Sequence, residues 1–254
     1  MQFAITIGSF ALLPFVELNV RACRHVFGKD TPILICDDRS QKTPEMEALA
    51  EKYGCGFITS NTPRGHFCGC SQTTVAAVAF AQAMQADIAV KLTQRFILLE
   101  PRIRERIEQL FTERPELELA HCGRPKPEGL KRSKWFVKFP FLVDCMVMRT
   151  AAFDPHWLKA SYESKCKDGT KHASYTESWL QHLCETKCAG KHETLEWLTN
   201  HHGEPHWYLR KTQNDNVDYI RAAHRFGLKH ANFPTNEWRD LVGKERYRPI
   251  PVMD

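Results

Sequence analysis

The first 92 residues alternate between short apolar segments and longer segments with helical periodicity. The apolar segments predict strands of four to six residues, at 2–7, 32–36, 56–59 and 87–92. The segments between them carry apolar residues at the spacing of one helix face, at 14–27, 43–53 and 71–86. Strands that alternate with helices form a parallel sheet with right-handed crossovers, so the sequence predicts an α/β fold.

Polar or small residues follow three of these predicted strands at the point where each strand ends. They occupy positions 8–9, 37–40 and 93–95. The carboxyl ends of parallel strands meet at one edge of a sheet, and ligands bind in the crevice beyond that edge. We therefore expect these three segments to form one ligand site.

Composition excludes several classes of protein. Hydrophobic residues make up 43 % of the chain, which excludes a disordered protein. No segment approaches the roughly 20 continuous apolar residues of a membrane span, and the N-terminus lacks the pattern of a signal peptide. We therefore predict a cytoplasmic protein whose 10 cysteines are reduced. The net charge of +5 suits a protein that binds phosphorylated ligands and does not require nucleic acid.

The second predicted strand ends in the acidic motif Asp37-Asp38-Arg39-Ser40. A motif of this kind at this place resembles the Asp-Asp-x-Ser motif of GT-A glycosyltransferases, in particular the family 2-like enzymes. The resemblance covers about residues 1–100 and implies a GT-A-like fold with a mainly parallel central sheet flanked by helices. It also implies that Asp37 and Asp38 hold the base and ribose of a nucleotide-sugar donor. A carboxylate accepts hydrogen bonds from base N–H groups or ribose hydroxyls and so discriminates between ligands.

The resemblance extends the donor site to residues near this motif. In related enzymes a loop that corresponds to 61–69 approaches the donor, and its basic residues could contact phosphate; the alternative is a polar surface loop. The further donor-binding candidates in this region are Gly8, Ser9, Arg39, Arg64 and His66.

The chain departs from the family pattern after the fourth predicted strand. The family carries an Asp-x-Asp motif there that holds a divalent metal at the diphosphate, whereas this chain reads Thr93-Gln94-Arg95. We predict that Mn or Mg is not held in the usual way, although either ion could still accompany the nucleotide-sugar. Arg95 and Lys91 would supply positive charge to the phosphates, with Gln94 beside them. Alternation along the strand places Lys91 and Arg95 on the face opposite Ile88, Val90 and Leu92; the alternative is that both cations are solvated or ion-paired.

An inverting glycosyl transfer needs a carboxylate that accepts the proton of the attacking hydroxyl. The resemblance places this acid at the start of a helix in the second half, where Glu177 is the match and Trp179 could stack on a sugar. The alternative is a first-turn acid that favours the helix dipole, with Trp179 in the core. Asp144 is the other candidate for the base, because a carboxylate inside an apolar predicted strand is costly to bury and is kept there for a structural or catalytic role. Asp168 is more typical of a turn.

The second half of the chain, 101–254, is less regular and is predicted to form the acceptor side of one continuous domain with the nucleotide-binding half, 1–100. Its predicted elements are helices at 103–111, 176–188 and 216–226 and strands at 116–120 and 139–148. The basic segment 124–138 mixes cations with aromatic residues. That mixture suits nucleic acid, an acidic sugar or plain solvated surface.

Cysteine and histidine residues cluster in the second half. Cys184, Cys188 and His192 are spaced four residues apart and could bind zinc, or they could be thiols and imidazole on a half-buried helix. A late histidine contributes to the metal or diphosphate in some enzymes of the resembled fold. The candidates for that role are His201, His202 and His206.

Taken together, these features predict a glycosyltransferase that moves a sugar from a nucleotide-sugar to a hydroxyl acceptor. The acceptor is left open between a glycan, a small molecule and DNA, the last as in a DNA-base glycosyltransferase. The alternative of a different class is a non-catalytic nucleotide- or sugar-binding protein that kept the same fold.

Overall fold

The computed structural model describes residues 1–11, 13–61, 64–94, 96–98, 101–123, 141–167, 176–198 and 206–208. The strands are β1 (Phe3–Ser9), β2 (Ile33–Asp37), β3 (Gly56–Thr59), β4 (Ile88–Thr93), β5 (Phe96–Leu98), β6 (Leu119–Gly123), β7 (Phe141–Arg149), β8 (His192–Leu195) and β9 (His206–Tyr208). The helices are α1 (Leu13–Phe27), α2 (Thr43–Lys52), α3 (Gly65–Ala83), α4 (Arg102–Glu113), α5 (Pro155–Lys167) and α6 (Thr176–Glu185). Among these helices none combines the length and the apolar character that crossing a membrane requires.

Seven strands form one sheet in the order β3-β2-β1-β4-β7-β6-β8. Strands β1 to β4 are parallel to one another. β7 returns antiparallel between β4 and β6, and β8 lies parallel to β6 at the edge. β5 and β9 form a separate antiparallel pair. This topology confirms the predicted α/β fold with a mainly parallel central sheet flanked by helices.

Residue alternation along β4 decides which core each side chain enters. Ile88, Val90 and Leu92 pack into the core that contains residues of α1, α2 and α4, as the sequence predicts. Ala89 packs into the opposite core, with residues of α3, α5 and α6. Both faces of the sheet are therefore covered by helices, which leaves the carboxyl ends of β1, β2 and β4 as the place where the predicted ligand site can form.

Helix α3 lies very close to the sheet because small residues face it. A Cβ atom added to Gly8 of β1 would come within 3.0 Å of Cγ2 and Oγ1 of Thr73 on α3. A larger residue at this position would therefore push the helix away from the strand. Gly8, which the sequence predicts as a donor-site residue, thus allows α3 to pack closely against β1 at Thr73.

Several sequence predictions differ from the observed bounds, among them the strand predicted at 116–120, which is β6 at Leu119–Gly123. Helix α3 begins at Gly65, six residues before the predicted start, because a side chain from the β2 loop binds the amide that precedes it. Thr43, predicted as the N-cap of α2, is instead its first residue and donates its hydroxyl elsewhere. Helix α6 ends at Glu185, three residues early. The predicted helix at 216–226 and the basic segment 124–138 lie outside the described residues.

Candidate nucleotide-binding and catalytic site

The loops that follow β1, β2 and β4 lie side by side at the carboxyl edge of the sheet. Ser9 is paired with Asp37, and Gly8 is paired with Thr93. The amide of Gln94 donates to the carbonyl oxygen of Gly8 at 2.9 Å. The structure therefore brings together the three segments from which the sequence predicts a ligand site.

Asp37 holds this edge together from the inside. Its side chain is only 1 % exposed. Its Oδ2 accepts hydrogen bonds from the Ser40 amide at 2.9 Å and the Thr43 hydroxyl at 2.6 Å, and its Oδ1 accepts one from the Ser9 hydroxyl at 3.3 Å. Because both oxygens are engaged within the protein, Asp37 shapes the β2 loop and ties it to the end of β1.

Asp38 has a different environment, since it is partly exposed and lies against the start of α3. The Arg64 amide donates to both of its carboxylate oxygens, at 2.9 and 3.1 Å, and the Ser60 hydroxyl donates to Oδ1 at 3.1 Å. A Cβ atom on Gly69 would lie 2.7 Å from Asp38 Oδ2. The absence of a side chain at Gly69 therefore makes room for this carboxylate.

Backbone strain is concentrated at the same edge. Arg39 has a φ of 47° and Ala11 a φ of 60°, both in the left-handed region that non-glycine residues seldom adopt. Ala11 lies in the loop after β1 and Arg39 in the loop after β2. Strained residues of this kind cluster at ligand sites. The conformation also leaves the Arg39 side chain exposed at the edge of the sheet.

Gln94 fixes the loop after β1 through two side-chain hydrogen bonds. Its Oε1 accepts from the Phe10 amide at 2.8 Å, and its Nε2 donates to the Phe10 carbonyl oxygen at 3.2 Å. Phe10 is 51 % exposed although its backbone is held on both sides. An exposed aromatic ring on a fixed backbone is a candidate stacking surface. Sequence reasoning missed Phe10, whose one signal was its place directly after Gly8-Ser9.

Lys91 is fully buried beneath this edge. Its Nζ donates to the Val143 carbonyl oxygen at 2.5 Å and to Cys70 Sγ at 3.0 Å. Among the described residues no carboxylate lies within ion-pair distance of it. Lys91 is therefore neither solvated nor, among the described residues, directly ion-paired; its ammonium group is held by a carbonyl oxygen and a sulfur.

Two acidic side chains lie near this ammonium group. The Thr93 hydroxyl donates to Asp144 Oδ1 at 2.7 Å, and Asp144 is 8 % exposed. Glu177 is partly exposed in the first turn of α6. Burial raises the pKa of the Cys70 thiol, which keeps it protonated at neutral pH, and the carboxylates of Asp144 and Glu177 raise this pKa further against the opposing effect of Lys91. The carboxylates of Asp144 and Glu177, the two predicted catalytic acids, therefore act electrostatically on the same buried thiol.

Trp179 does not line this cluster. It is fully buried, and its Nε1 donates to the Ser161 hydroxyl at 3.0 Å. Its ring also lies edge-on to Tyr162, with centroids 6.2 Å apart. The prediction that Trp179 stacks on a sugar is wrong, because the ring is core and its one polar atom is satisfied inside the protein.

Several predicted residues are only partly covered by the structure. Arg95, Asp168, His201 and His202 lie outside the described residues. His66 lies in the first turn of α3, and the backbone of His206 pairs with that of Leu98. Their roles stay predictions from the sequence.

The described residues at the end of β4 include no group of three ligand atoms that could hold a divalent cation without the help of substrate phosphates. Mn2+ and Mg2+ prefer several oxygen ligands, including carboxylates. Here Asp144 and Glu177 are the nearby acids, and within the described part of the chain they belong to no group of three potential ligand atoms within 4.8 Å of one another. One oxygen of Asp144 is also bonded to Thr93. No reaction step is therefore assigned to a metal at this place.

Comparison with known proteins identifies the fold. No protein-family model matches the chain, and no curated protein is similar to it in sequence. The chain is similar to a cytidylyltransferase from Leptospira borgpetersenii serovar Hardjo-bovis, with a TM-score of 0.54 and 14 % identity over 96 % of this chain and 94 % of that one. It is also similar to a mannosyltransferase from Pyrobaculum calidifontis in complex with GDP-Man and Mn2+, with a TM-score of 0.52 and 11 % identity over 94 % of this chain and 68 % of that one.

These similarities, at low sequence identity, concern the fold alone. They show a GT-A-like α/β fold, the fold predicted from the acidic motif after β2. The same fold carries sugar transfer in one of these proteins and nucleotidyl transfer in the other, so the activity of this chain has to be argued from its own site.

Proposed function

We propose that this protein is a glycosyltransferase that moves a sugar from a nucleotide-sugar to a hydroxyl acceptor. One observation supports the proposal: two consecutive residues of α3 contact the two parts of the predicted site. The first lies at Asp38, the predicted nucleotide contact, and the second lies at Lys91. Gly69 lies under the Asp38 carboxylate, and Cys70 Sγ accepts from Lys91, beside Asp144 and Glu177. A donor held at Asp38 would therefore extend its diphosphate and sugar toward the acidic cluster.

The nucleoside would be held by a carboxylate and a ring. The partly exposed Asp38 can accept hydrogen bonds from base N–H groups or ribose hydroxyls. Phe10, exposed and anchored by Gln94, offers its face to the base. Asp37 does not touch the ligand in this proposal; it keeps Ser9 and the β2 loop in place.

Basic side chains, rather than a metal ion held by the protein, would neutralise the negative charge of the diphosphate. Arg39 and Arg64 are exposed on either side of Asp38, and the sequence adds Arg95 after β4. Guanidinium groups bind phosphate oxygens in a bidentate manner and keep their charge at all physiological pH values. Lys91 acts from beneath the edge, where its buried charge stabilises negative charge that develops on the leaving group.

Glu177 would be the general base. Its carboxylate accepts the proton of the acceptor hydroxyl, whose oxygen forms a bond to the anomeric carbon. The bond from that carbon to the diphosphate oxygen breaks, and the nucleoside diphosphate leaves with the electron pair. Asp144 is more buried and holds Thr93, so in this proposal it orients the end of β4.

The direct test is calorimetric titration of the purified chain with UDP, GDP and CDP and their sugar derivatives, with and without manganese. We expect one of these nucleotides to bind in the absence of metal. Binding by none of them would refute the proposal, and strict dependence on manganese would refute the assignment of the phosphate charge to the basic residues.

Phe10→Ala tests the stacking surface. We expect nucleotide affinity to fall by about 5- to 100-fold, the effect of losing one base–aromatic stack, with an unchanged melting temperature because the ring is half exposed. The matched control is Trp157→Ala, since Trp157 is 39 % exposed and lies on α5. An equal loss of affinity in both variants would contradict a specific role for Phe10.

Gly69→Ala tests the space under Asp38. The new methyl group would lie 2.7 Å from Asp38 Oδ2, so the carboxylate has to move. We expect about 5-fold weaker nucleotide binding, which corresponds to the ~1 kcal/mol of one hydrogen bond. Thermal stability should change little, because the preference of a helix for alanine over glycine, about 1 kcal/mol, offsets the weakened hydrogen bonds from Arg64 and Ser60 to the displaced carboxylate. In an Asp38→Ala background the same substitution should have no further effect on affinity.

Nucleotidyl transfer is the second candidate, because the similarity to the cytidylyltransferase covers nearly the whole of both chains. The two reactions release different products. A glycosyltransferase releases a nucleoside diphosphate from a nucleotide-sugar, whereas a nucleotidyltransferase releases pyrophosphate from a nucleoside triphosphate. Incubation with CTP and candidate sugars, followed by a pyrophosphate assay, separates them.

The acceptor is tested separately from the donor. The basic segment 124–138 lies outside the described residues, so contact with DNA stays a prediction from its sequence. Binding of duplex DNA that weakens steeply with salt would support a DNA-base acceptor. Nucleotide binding without turnover on any acceptor, unchanged by Glu177→Ala, would instead support the non-catalytic binding protein.

A further inference from the structure

A second cluster of reactive side chains lies away from the proposed reaction centre. His121 on β6, Cys184 on α6 and His192 on β8 each offer one ligand atom, and these atoms all lie within 4.8 Å of one another. In the part of the chain that the structure describes, no other such group of three occurs. None of the three residues has a role in the sugar transfer proposed above.

The fold brings these residues together from three separate elements. His121 follows the alternation of β6, in which Leu119 packs on the α6 side of the sheet and Ala120 on the other side. His192, on the neighbouring strand β8, is paired with Leu119 of β6. Cys184 lies on the buried face of α6, so the helix places its sulfur over the two strands. The imidazole rings of His121 and His192 are stacked with centroids 5.9 Å apart.

We propose that His121, Cys184 and His192 bind a zinc ion. Two imidazole nitrogens and one thiolate match the ligand preference of zinc, whose tetrahedral sites accept nitrogen and sulfur donors at about 2.0–2.3 Å. Ligand atoms of such a site are about 3.5 Å apart. Atoms that already lie within 4.8 Å of one another reach that spacing by small side-chain rotations.

The protonation of His121 suits this role. Its Nδ1 lies 3.3 Å from the Cys122 carbonyl oxygen. A carbonyl oxygen only accepts, so Nδ1 carries the proton and the lone pair is on Nε2, the usual arrangement of a histidine ligand.

The segment between Cys184 and His192 is held in place by ion pairs and hydrogen bonds, which limits the conformational entropy that it loses when the zinc ion binds. Glu118, next to the start of β6, makes ion pairs with Lys187 at 3.2 Å and with Lys191 at 2.9 Å. The Lys191 amide also donates to the Cys188 carbonyl oxygen at 2.8 Å. The turn that connects Cys184 to His192 is therefore held on β6 before any ion binds.

The ligand set differs from the one that sequence spacing suggests. The four-residue spacing points to Cys184, Cys188 and His192. The structure replaces Cys188 with His121, which lies 63 positions before Cys184 and is brought to it only by the sheet. An ion at this place would tie α6 and β8 to β6. Glu177 lies seven residues before Cys184, about two turns along the same face of α6. A zinc ion would therefore also help to position Glu177, and this consequence alone depends on the proposed function.

Cobalt substitution in the full-length protein tests the site. We expect the chain, stripped of metal with a chelator, to bind one Co2+ that zinc displaces, with a near-ultraviolet band from a thiolate ligand and the visible spectrum of a tetrahedral ion. Cys184→Ala should abolish the thiolate band. His192→Gln, at a half-buried position where folding tolerates a polar side chain, should weaken zinc binding by at least about 10- to 100-fold.

Two matched variants make the test specific. Cys188→Ala and Cys23→Ala each remove one fully buried cysteine, and both should keep the thiolate band and the affinity for zinc. No thiolate band in the wild-type protein would overturn the proposal, and so would loss of the band in Cys188→Ala. Because metal binding is measured without any nucleotide, these outcomes are independent of whether the chain transfers sugar.

Discussion

Glu177→Gln is expected to lower the rate of sugar transfer by about 10²–10⁴-fold while nucleotide affinity stays the same. The amide keeps the size of the side chain and cannot accept the proton of the acceptor hydroxyl. Glu177 lies in the first turn of α6, and its carboxylate, like that of Asp144, raises the pKa of the buried Cys70 thiol that Lys91 contacts. The measurement is the release of nucleoside diphosphate at saturating donor, together with calorimetric titration of the same nucleotide.

The same helix provides a control for this prediction. Glu185 is an exposed acid at the end of α6, where it accepts from Gln181 at 2.6 Å. Glu185→Gln should leave the rate unchanged. If Asp144→Asn removes activity and Glu177→Gln does not, the general base is Asp144 and the assignment to Glu177 is wrong. A melting temperature for each variant separates a lost base from a lost fold, above all for Asp144, which holds Thr93.

Asp38→Ala is expected to weaken nucleotide binding by about 10- to 100-fold, because hydrogen bonds to a charged group contribute about 1.5–3 kcal/mol. Asp38 is partly exposed and is positioned by Arg64 and Ser60, so its carboxylate is fixed before a ligand arrives. The affinity of the nucleotide and of the free nucleoside should fall together, since the contact is to base or ribose. Calorimetric titration of both ligands measures this.

Asp30→Ala controls for the loss of a negative charge near the sheet, because Asp30 is exposed and precedes β2 by three residues. It should change the affinity by less than about 2-fold, as expected for a solvated surface charge. An Asp38→Ala variant that binds the nucleotide as tightly as the wild type would remove the acidic motif from the nucleotide site.

Local patterns in the sequence were sufficient to predict the first half of the fold. The alternation of apolar runs and helices gives β1 to β4 with their crossovers, and alternation along β4 correctly separates Ile88, Val90 and Leu92 from Lys91. These features depend on neighbours in the chain, where periodicity is informative. Asp144 was proposed as a catalytic acid from its apolar neighbours in the sequence and Glu177 from the family resemblance, and both roles stay predictions.

Features that depend on distant residues were not predicted. The start of α3 depends on Asp38, which binds the Arg64 amide from another loop, and a stretch that contains Gly65 and Gly69 reads locally as a loop. Cys70 shows its importance only through its contact with Lys91. The two neighbouring aspartates look alike in sequence. Only the structure shows that Asp37 is buried while Asp38 is partly exposed, although both carboxylates accept hydrogen bonds from the protein.

The return of β7 between β4 and β6 limits how enzymes of this shape could be recombined. The strand that carries Asp144 is joined by a ladder of backbone hydrogen bonds to the strand that carries Lys91, with Leu92 opposite Cys145. A chimaera joined near residue 100 would pair β4 with a foreign strand, and a slip of one residue in that pairing would send alternate side chains to the wrong face. Transplanting residues 88–149 as one block keeps the β4–β7 register intact.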